Sequence, residues 1–406
     1  MKKKILIITD SYPPELRSAS ELMGDLAISL HDRGHEITVL TSYPKYNLAN
    51  SGHEVGAIPL DIVENNIRVI RVRTLPHHKV NFIIRGISQL FLPYIFWFSL
   101  KKRVKEKFDV VIVHSPPLPL TITTAKVQKY YGAKYLLNLH DFFPQNAVDL
   151  GVLTIKPIIK FFEKMEFGAY KKSDLIVVPS NEHKKFLEKN RGIAKEKISV
   201  IPHWINMSPF ISAKRTGTFR KKFGLEDKFV FVFGGVLGPS QGLDLILRLA
   251  AKLNNYPDIA FLFVGDGGEK ENLVKTKEEQ KLNNVVFGDW ISKEDYPSLL
   301  KDMDVGFFSL TSKNTTPAVP AKLMGYLAAG LPTVAFLHNE SEGHAIIKEA
   351  NCGYSALYED EADALKIIIK IYEERNRIKE YGENGFRYAE ANFTKEVCAE
   401  KWEALF

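Results

Sequence analysis

Cysteine is almost absent from this 406-residue chain: Cys352 and Cys398 are the only two, both near the C-terminus. That excludes a disulfide framework and makes a reducing cytosol the expected setting. No uncharged apolar run approaches the roughly 20 residues that a spanning helix needs. The opening MKKKILIITD passes directly from basic residues into a strand, with no small-residue cleavage site. A dinucleotide fingerprint is missing as well. No G-x-G-x-x-G opens the first strand-to-helix turn, where TDSYPPELRS stands, and this disfavours a nicotinamide oxidoreductase. His77, His78, His114 and His203 are scattered, and no set of His, Cys and carboxylates has zinc-ligand spacing, so no essential metal is expected. Asp302 to Asp304 imitates a metal-binding acidic pair, but it falls between the amphipathic YPSLLK and the strand VGFFSL, where a helix-to-strand junction explains it. No low-complexity tract or solenoid repeat is present.

What is present is ordinary soluble material: 45% hydrophobic and 25% charged residues, in a chain long enough for two domains of about 200 residues. The net charge of +7 favours anionic partners without choosing among phosphates, lipid and nucleic acid. Apolar, β-rich runs recur with helical segments between them: ILIITD, EITVLT, IRVIRV, DVVIVHS, KYLLNLHD, DLIVVPS and ISVIPH. Their unbroken apolar character predicts parallel strands covered on both faces. A polar, basic segment from Met207 to Lys228 reads as a linker, after which FVFVFGGV, IAFLFVGDGG, NVVFGDW, DVGFFSL, LPTVAFL and GYSALY restart the pattern. Two doubly wound α/β domains are expected, with ligands beyond the carboxyl ends of the strands and in the cleft between the domains.

Strand ends in the second half are rich in glycine, notably Gly234, Gly235, Gly238, Gly242, Gly265, Gly267 and Gly268. Such residues either make tight turns or let backbone N–H groups approach an anion. Helix N-termini expected near Pro239 and Pro320, with Lys322 in the first turn of the second, would favour a diphosphate.

The chain resembles the family-4 glycosyltransferases of the GT-B fold. The motifs that carry the resemblance are ITDSYPPELRSAS, HSPPLPL, HDFFPQNAVDLG, VIPHWIN, FGGVLGPSQGLDLIL, FLFVGDGGEKENL, VVFGDW and KLMGYLAAGLPTVA, in that order. Their PPE, SPPL, FPQNAVDLG and GPSQGLD variants are similar to the fucosamine-type transferases of lipid-linked surface polysaccharide assembly. The resemblance implies two Rossmann-like, doubly wound parallel-sheet domains facing across a cleft. Residues 1–206 would form the acceptor side, 207–385 the nucleotide-sugar side, and 386–406 a C-terminal helix returning to the first domain. It implies a retaining hexosyl- or N-acetylaminosugar-transferase that uses a nucleotide diphosphate donor, most readily a UDP-sugar, and a glycan or polyprenyl-diphosphate-linked acceptor. Nucleic acid and cofactors are not implied, and the donor phosphate would take the acceptor proton without a protein nucleophile.

By the same resemblance, His140 and Asp141 are the catalytic candidates, with the His bonding the donor sugar. The donor-binding candidates are Gly235, Ser240, Gln241, Gly265, Gly288, Asp289, Lys322, Gly325 and Glu342. Glu15 and Arg17 fall where family members line the acceptor and phosphate side. Four positions depart from the family pattern: Pro317 and Gly325 stand where two glutamates are expected, and Val236 and Gln241 where an Arg and a Lys are. Phosphate binding would then rest on backbone N–H groups, Ser240 and Lys322, and Glu342, Gly343 and His344 could approach the sugar instead. A nucleotide-sugar 2-epimerase and a non-catalytic binding subunit remain alternatives.

Asn81 to Phe108 is apolar and aromatic up to Leu100, then basic from Lys101 to Lys107, and Pro93 interrupts it. The basic end suits either a helix lying on an anionic membrane face or a buried helix of the first domain. Lys156 to Ser173 has the same mixture and would extend that surface.

Overall fold

The computed structural model describes residues 1–15, 17–44, 58–76, 82–253, 255–311 and 316–406. His77, His78 and Asn81 lie outside them. The chain divides into two compact units, Met1–His203 with Lys395–Phe406, and Trp204–Thr394.

The first unit is built on β1 (Lys4–Thr9), β2 (Glu36–Ser42), β3 (Asp61–Glu64), β4 (Ile67–Val72), β5 (Val110–Ser115), β6 (Lys134–Leu139), β7 (Leu175–Val178) and β8 (Ile198–Val200). They form one sheet in the order β3-β4-β2-β1-β5-β6-β7-β8, parallel throughout except for β3 against β4. The fully buried Ile5 to Ile8 and Val110 to Val113 show why these strands read as continuous apolar runs, since helices cover both faces. Strand β3 was not expected from the sequence. Its residues alternate in exposure at the sheet edge, and Asn65 and Asn66, both at positive φ (50° and 61°), turn it back onto β4.

The second unit carries β9 (Phe229–Gly234), β10 (Ile259–Val264), β11 (Val285–Gly288), β12 (Val305–Ser309), β13 (Thr333–Leu337) and β14 (Gly353–Leu357), ordered β11-β10-β9-β12-β13-β14 and wholly parallel. The order reverses between β1 and β5 in one sheet and between β9 and β12 in the other. At such switch points adjacent loops diverge to opposite faces and leave a crevice.

The segment read as a linker is structured. Helices Ser208–Ser212 and Thr218–Phe223 occupy half of it, and the side chains of Phe210 and Arg220 are buried. The acidic residues of the 302–304 stretch explain why. Asp302 accepts hydrogen bonds from the N–H groups of Thr216 and Gly217 at 2.7 Å each and of Phe219 at 2.9 Å, so it caps the second helix from across the fold. Asp304 accepts from Val230 N–H at 2.8 Å and pairs with Arg215 at 2.9 Å and with Arg220. An uncapped basic helix would have no reason to form here on its own.

The C-terminal return begins later than expected. The helix Ile378–Asn392 packs on the Ala321–Ala329 helix in the second unit, and only Lys395–Phe406 joins the first. Glu403 is bonded by Arg33 Nε at 2.6 Å and His35 Nε2 at 3.1 Å, Lys134 Nζ donates to the Leu405 carbonyl at 2.7 Å, and Trp402 is 1% exposed.

Replacing Asp302 with Ala leaves three part-buried N–H donors without their charged acceptor, at up to about 1.5 to 3 kcal/mol for each bond to a charged group. The expected outcome is a clear fall in the urea midpoint of the second unit, read by equilibrium denaturation, whereas Asp266→Ala on the exposed loop leaves it within error.

Candidate functional site

In the second unit the switch point is occupied by closely packed loops. Gly235, at φ 143°, follows β9, and its N–H donates to the Val264 carbonyl at 2.9 Å. Leu237 N–H donates to the Asp266 carbonyl at 2.8 Å, and Glu269 N–H returns a bond to the Leu237 carbonyl at 3.0 Å. A Cβ on Gly265 would lie 1.9 Å from the Gly235 carbonyl oxygen and one on Gly267 2.3 Å from that of Leu237. These glycines therefore let two backbones touch, so Gly265 shapes the loop instead of merely lining it.

Pro239–Gln241 forms a single 3-10 turn, and the α-helix starts only at Asp244, later than the N-terminus expected near Pro239. The turn is tied to the end of β12: Thr311 N–H donates to the Ser240 carbonyl at 3.0 Å and Ser309 Oγ to that of Gln241. The helix Ala321–Ala329 does start where Pro320 predicts. From its first turn Lys322 reaches back, its Nζ donating to Gln241 Oε1 at 2.8 Å and lying 4.6 Å from the centre of the Phe233 ring. Its chain also runs along Gly235, where a Cβ would come within 3.0 Å of the Lys322 Cε. Among the described residues no carboxylate pairs with it, and burial lowers its pKa to about 8.

The structure thus brings Gly235, Gln241 and Lys322 together, with Ser240 in the adjoining turn. Gly325 sits one turn along the same helix, facing Tyr296, whose Cε1 would lie 3.6 Å from a Cβ there and whose ring also fills the space a Cβ would need at Gly234. Tyr296 is a residue sequence reasoning missed, and nothing in its local pattern signals it. Glu342 is buried and precedes the Gly343–Ala350 helix. Ser341 beside it bridges to Ala318, so this loop lies alongside the segment that carries Pro317. His344 Nδ1 lies 2.8 Å from Ser355 Oγ, which turns that nitrogen toward the sheet. Gly288 and Asp289 stand apart from the switch point: they end β11 at the sheet edge, a Cβ on Gly288 would meet Phe223, and the Asp289 carboxylate is fully exposed and 3.5 Å from Lys270.

In the first unit, His140 follows β6, and Asp141 is exposed. The surrounding protein raises the Asp141 pKa, an effect screened where solvent still reaches it. Two of the histidines read as scattered, His114 and His203, are gathered around His140. His114 from the end of β5 meets His140 edge-on at 4.4 Å between ring centres, and His203 stacks on it at 4.3 Å and 25°. Periodicity gives no hint of this, because parallel strands far apart in sequence end at the same level. His140 Nε2 lies 3.1 Å from Asn138 Oδ1. Burial, then the neighbouring imidazoles, hold the pKa of His140 well below its ordinary value, and burial brings that of His203 to about 4. Near this group, Arg17 spans the Asp10 and Glu15 carboxylates at 3.6 and 3.8 Å, and Ser42 Oγ donates to Asp10 at 2.9 Å. Among the described residues no group of His, Cys, Asp and Glu could hold a metal ion.

Two Rossmann-like units of parallel sheet, each with its polar residues at the strand ends around a switch point, define a GT-B protein. Residues 19–208 match Glycosyltransferase Family 4 and residues 216–387 match Glycosyl transferases group 1, so the chain is a glycosyltransferase with one domain of each description. It is 25% identical over 336 residues to WcaI of Escherichia coli (strain K12), named for colanic acid biosynthesis, with 80% of this chain and 81% of WcaI aligned. It is also 25% identical over 325 residues to the Escherichia coli UDP-Gal:alpha-D-GlcNAc-diphosphoundecaprenol alpha-1,3-galactosyltransferase, covering 78% of this chain and 77% of that one. Among solved structures, HepE from Anabaena in complex with UDP shares the fold at a TM-score of 0.71 and 16% identity, with 99% of both chains covered.

Lys322 gives a pH signature. Its folded pKa lies below the ordinary lysine value of 10.5, so below about pH 8 the folded protein carries the full cost of a partly desolvated ammonium. Between about 8 and 10.5 the unfolded chain holds a proton that the folded one has released, and this contribution to stability rises with pH. Thermal melts from pH 7.5 to 9.5 are expected to show wild type gaining stability relative to Lys322→Met, which has no such group.

Proposed function

We propose that the protein transfers a sugar, with retention of configuration, from a UDP-sugar to a polyprenyl-diphosphate-linked or related glycan acceptor, as in the fucosamine-type transferases of surface polysaccharide assembly. The observation that carries the donor half is the half-buried Lys322 ammonium beside Gly235, at the head of a helix and with no carboxylate partner among the described residues. A cation in that position lacks an anion, and a diphosphate would supply it together with bonds from the N–H groups around it. Lys322 here takes the charge-neutralising role that the family pattern gives to residues replaced by Val236 and Gln241. The contacts expected of the two glutamates pass to neutral groups near Gly325 and to the Glu342 loop.

Retention fits the first unit. His140 is oriented by an amide oxygen and has no carboxylate behind it, so it suits a bond to the sugar and not proton removal. The donor phosphate is then the base, and the protein contributes position and charge, with no metal required. UDP and UDP-glucose are bound by solved relatives of this fold, and a diphosphoundecaprenol-linked acceptor is named for one sequence relative.

For the acceptor half, support comes from the helix Phe82–Arg103. Leu92, Phe96 and Leu100 are buried on one face, and Ile84, Ile87, Phe91, Tyr94 and Phe98 are exposed on the other at three- and four-residue steps. Lys126 Nζ sits 4.5 Å over the Tyr94 ring, and Lys101 Nζ 4.8 Å over Tyr130 and 5.7 Å over Trp97. The helix Lys156–Lys172 exposes Ile158, Phe161 and Phe167 among its lysines. Aromatic and aliphatic groups rimmed by lysine suit the interface of an anionic bilayer, the cytoplasmic face of the plasma membrane, where a lipid-linked acceptor resides. No described helix is long and apolar enough to cross a membrane.

Calorimetry with UDP tests the donor site: binding is expected without added metal and in the presence of chelator. Lys322→Gln should weaken it by about tenfold to a hundredfold, the equivalent of about 1.5 to 3 kcal/mol. Absence of binding to any nucleotide diphosphate overturns the donor assignment. Sedimentation with vesicles containing anionic lipid should pellet the protein at low salt and release part of it at high salt. The double substitution Phe91→Ser with Phe98→Ser should release most of it at either.

A further inference from the structure

We propose that His114, His183 and His203 are positioning residues that hold the His140 imidazole in one orientation, as an uncharged hydrogen-bonding group for the transferred sugar. The inference deepens the reading above, on which its catalytic consequence rests. Its geometry stands within the first unit alone.

Three restraints converge on His140. The His203 ring covers one face at 4.3 Å, and His114 closes on it at 4.4 Å and 69°, which fixes the ring plane. Asn138 turns its Nδ2 toward Met23 Sδ at 3.9 Å, which leaves its Oδ1 for His140 Nε2 at 3.1 Å. With that oxygen as acceptor the ring proton sits on Nε2, and Nδ1 is the nitrogen that can receive a bond from a sugar hydroxyl. The chain after His140 is braced separately. The His183 imidazole stacks on Phe142, two residues after His140, at 5.4 Å and 27°, and its Nδ1 lies 2.8 Å from Ser180 Oγ. Ser180 in turn accepts from the His183 N–H and caps the Asn181–Arg191 helix, so a helix N-terminus packs against the segment that follows β6.

The charge environment points the same way. The groups that bear on His140 from the elements packed around it are His114 from β5, His183 from the Asn181–Arg191 helix and His203 from the segment after β8, and each opposes a second positive charge. Asp10 and Arg17, from the loop after β1, act on His114 in opposite senses. Asp141 is the adjacent residue and is exposed. His114 Nδ1 and His203 Nε2 are buried without a hydrogen-bond partner, so neither connects His140 to a carboxylate that could stabilise an imidazolium. Acid–base histidines are built the opposite way, with a carboxylate behind the ring.

The experiment is nitrogen-15 NMR of histidine-labelled full-length protein between pH 8 and 5, with His140→Gln used to assign the resonance. His140 is expected to keep its proton on Nε2 across the range, with no midpoint above about pH 5. A midpoint near the ordinary 6.5, or a proton on Nδ1, overturns the proposal. This readout needs no substrate, so it separates the proposal from the transferase reading. With activity in hand, His183→Phe should lower kcat about tenfold with donor KM within about twofold, and His183→Gln, whose amide can still bond Ser180, should recover most of it. An unchanged kcat in His183→Phe, or equal losses in both variants with unaltered spectra elsewhere, also overturns it.

Discussion

A lysine ammonium drawn out of water is unfavourable unless something negative meets it, and the second unit is arranged around that imbalance. Lys322 has an amide oxygen and an aromatic face for company, both weaker partners than a carboxylate. Its place follows from the switch point. β9 and β12 are neighbours whose following loops part, and the Ala321–Ala329 helix aims its first turn at the gap. On the other side of β9, Gly235 and Gly265 have to be glycine for the loops after β9 and β10 to pass one another, and the Ser240–Gln241 turn is held to the end of β12 by two bonds. Fold, loop chemistry and charge therefore lead to a single location.

The first unit solves a complementary problem. Where the second concentrates positive charge, the first suppresses it, by packing four imidazoles so closely that protonating one penalises the others. The cost is buried nitrogen without partners on His114 and His203, a local expense that the surrounding apolar sheet can carry. The division suits the transfer proposed above, in which the protein supplies orientation and charge.

Structural anchors lie away from both strand-end regions. Asp302 and Asp304 knit the Thr216–Arg220 stretch to the sheet, and Glu403 clamps the last helix beside Arg33 and His35. These carboxylates are spent on backbone N–H groups and arginines. An acidic pair that looks like a metal site in one dimension is thereby a helix cap in three.

Thirteen of the fourteen strands among the described residues, their parallel character and the family were legible in the sequence, because buried parallel strands are apolar on both faces and leave runs that need no tertiary context. Strand β3 escaped because an edge strand is only half apolar and its Asn65-Asn66 turn is a two-residue signal. Lys322 and Gly235 could be named because they adjoin a strand end and a helix start, both local features. Their hydrogen-bonded grouping with Gln241, the Tyr296 ring beside Gly325, the exclusion of Asp289 to the sheet edge and the gathering of His114, His140 and His203 could not. Each depends on which strands become neighbours, and that is decided by packing between segments tens to hundreds of residues apart, about which local sequence carries no information.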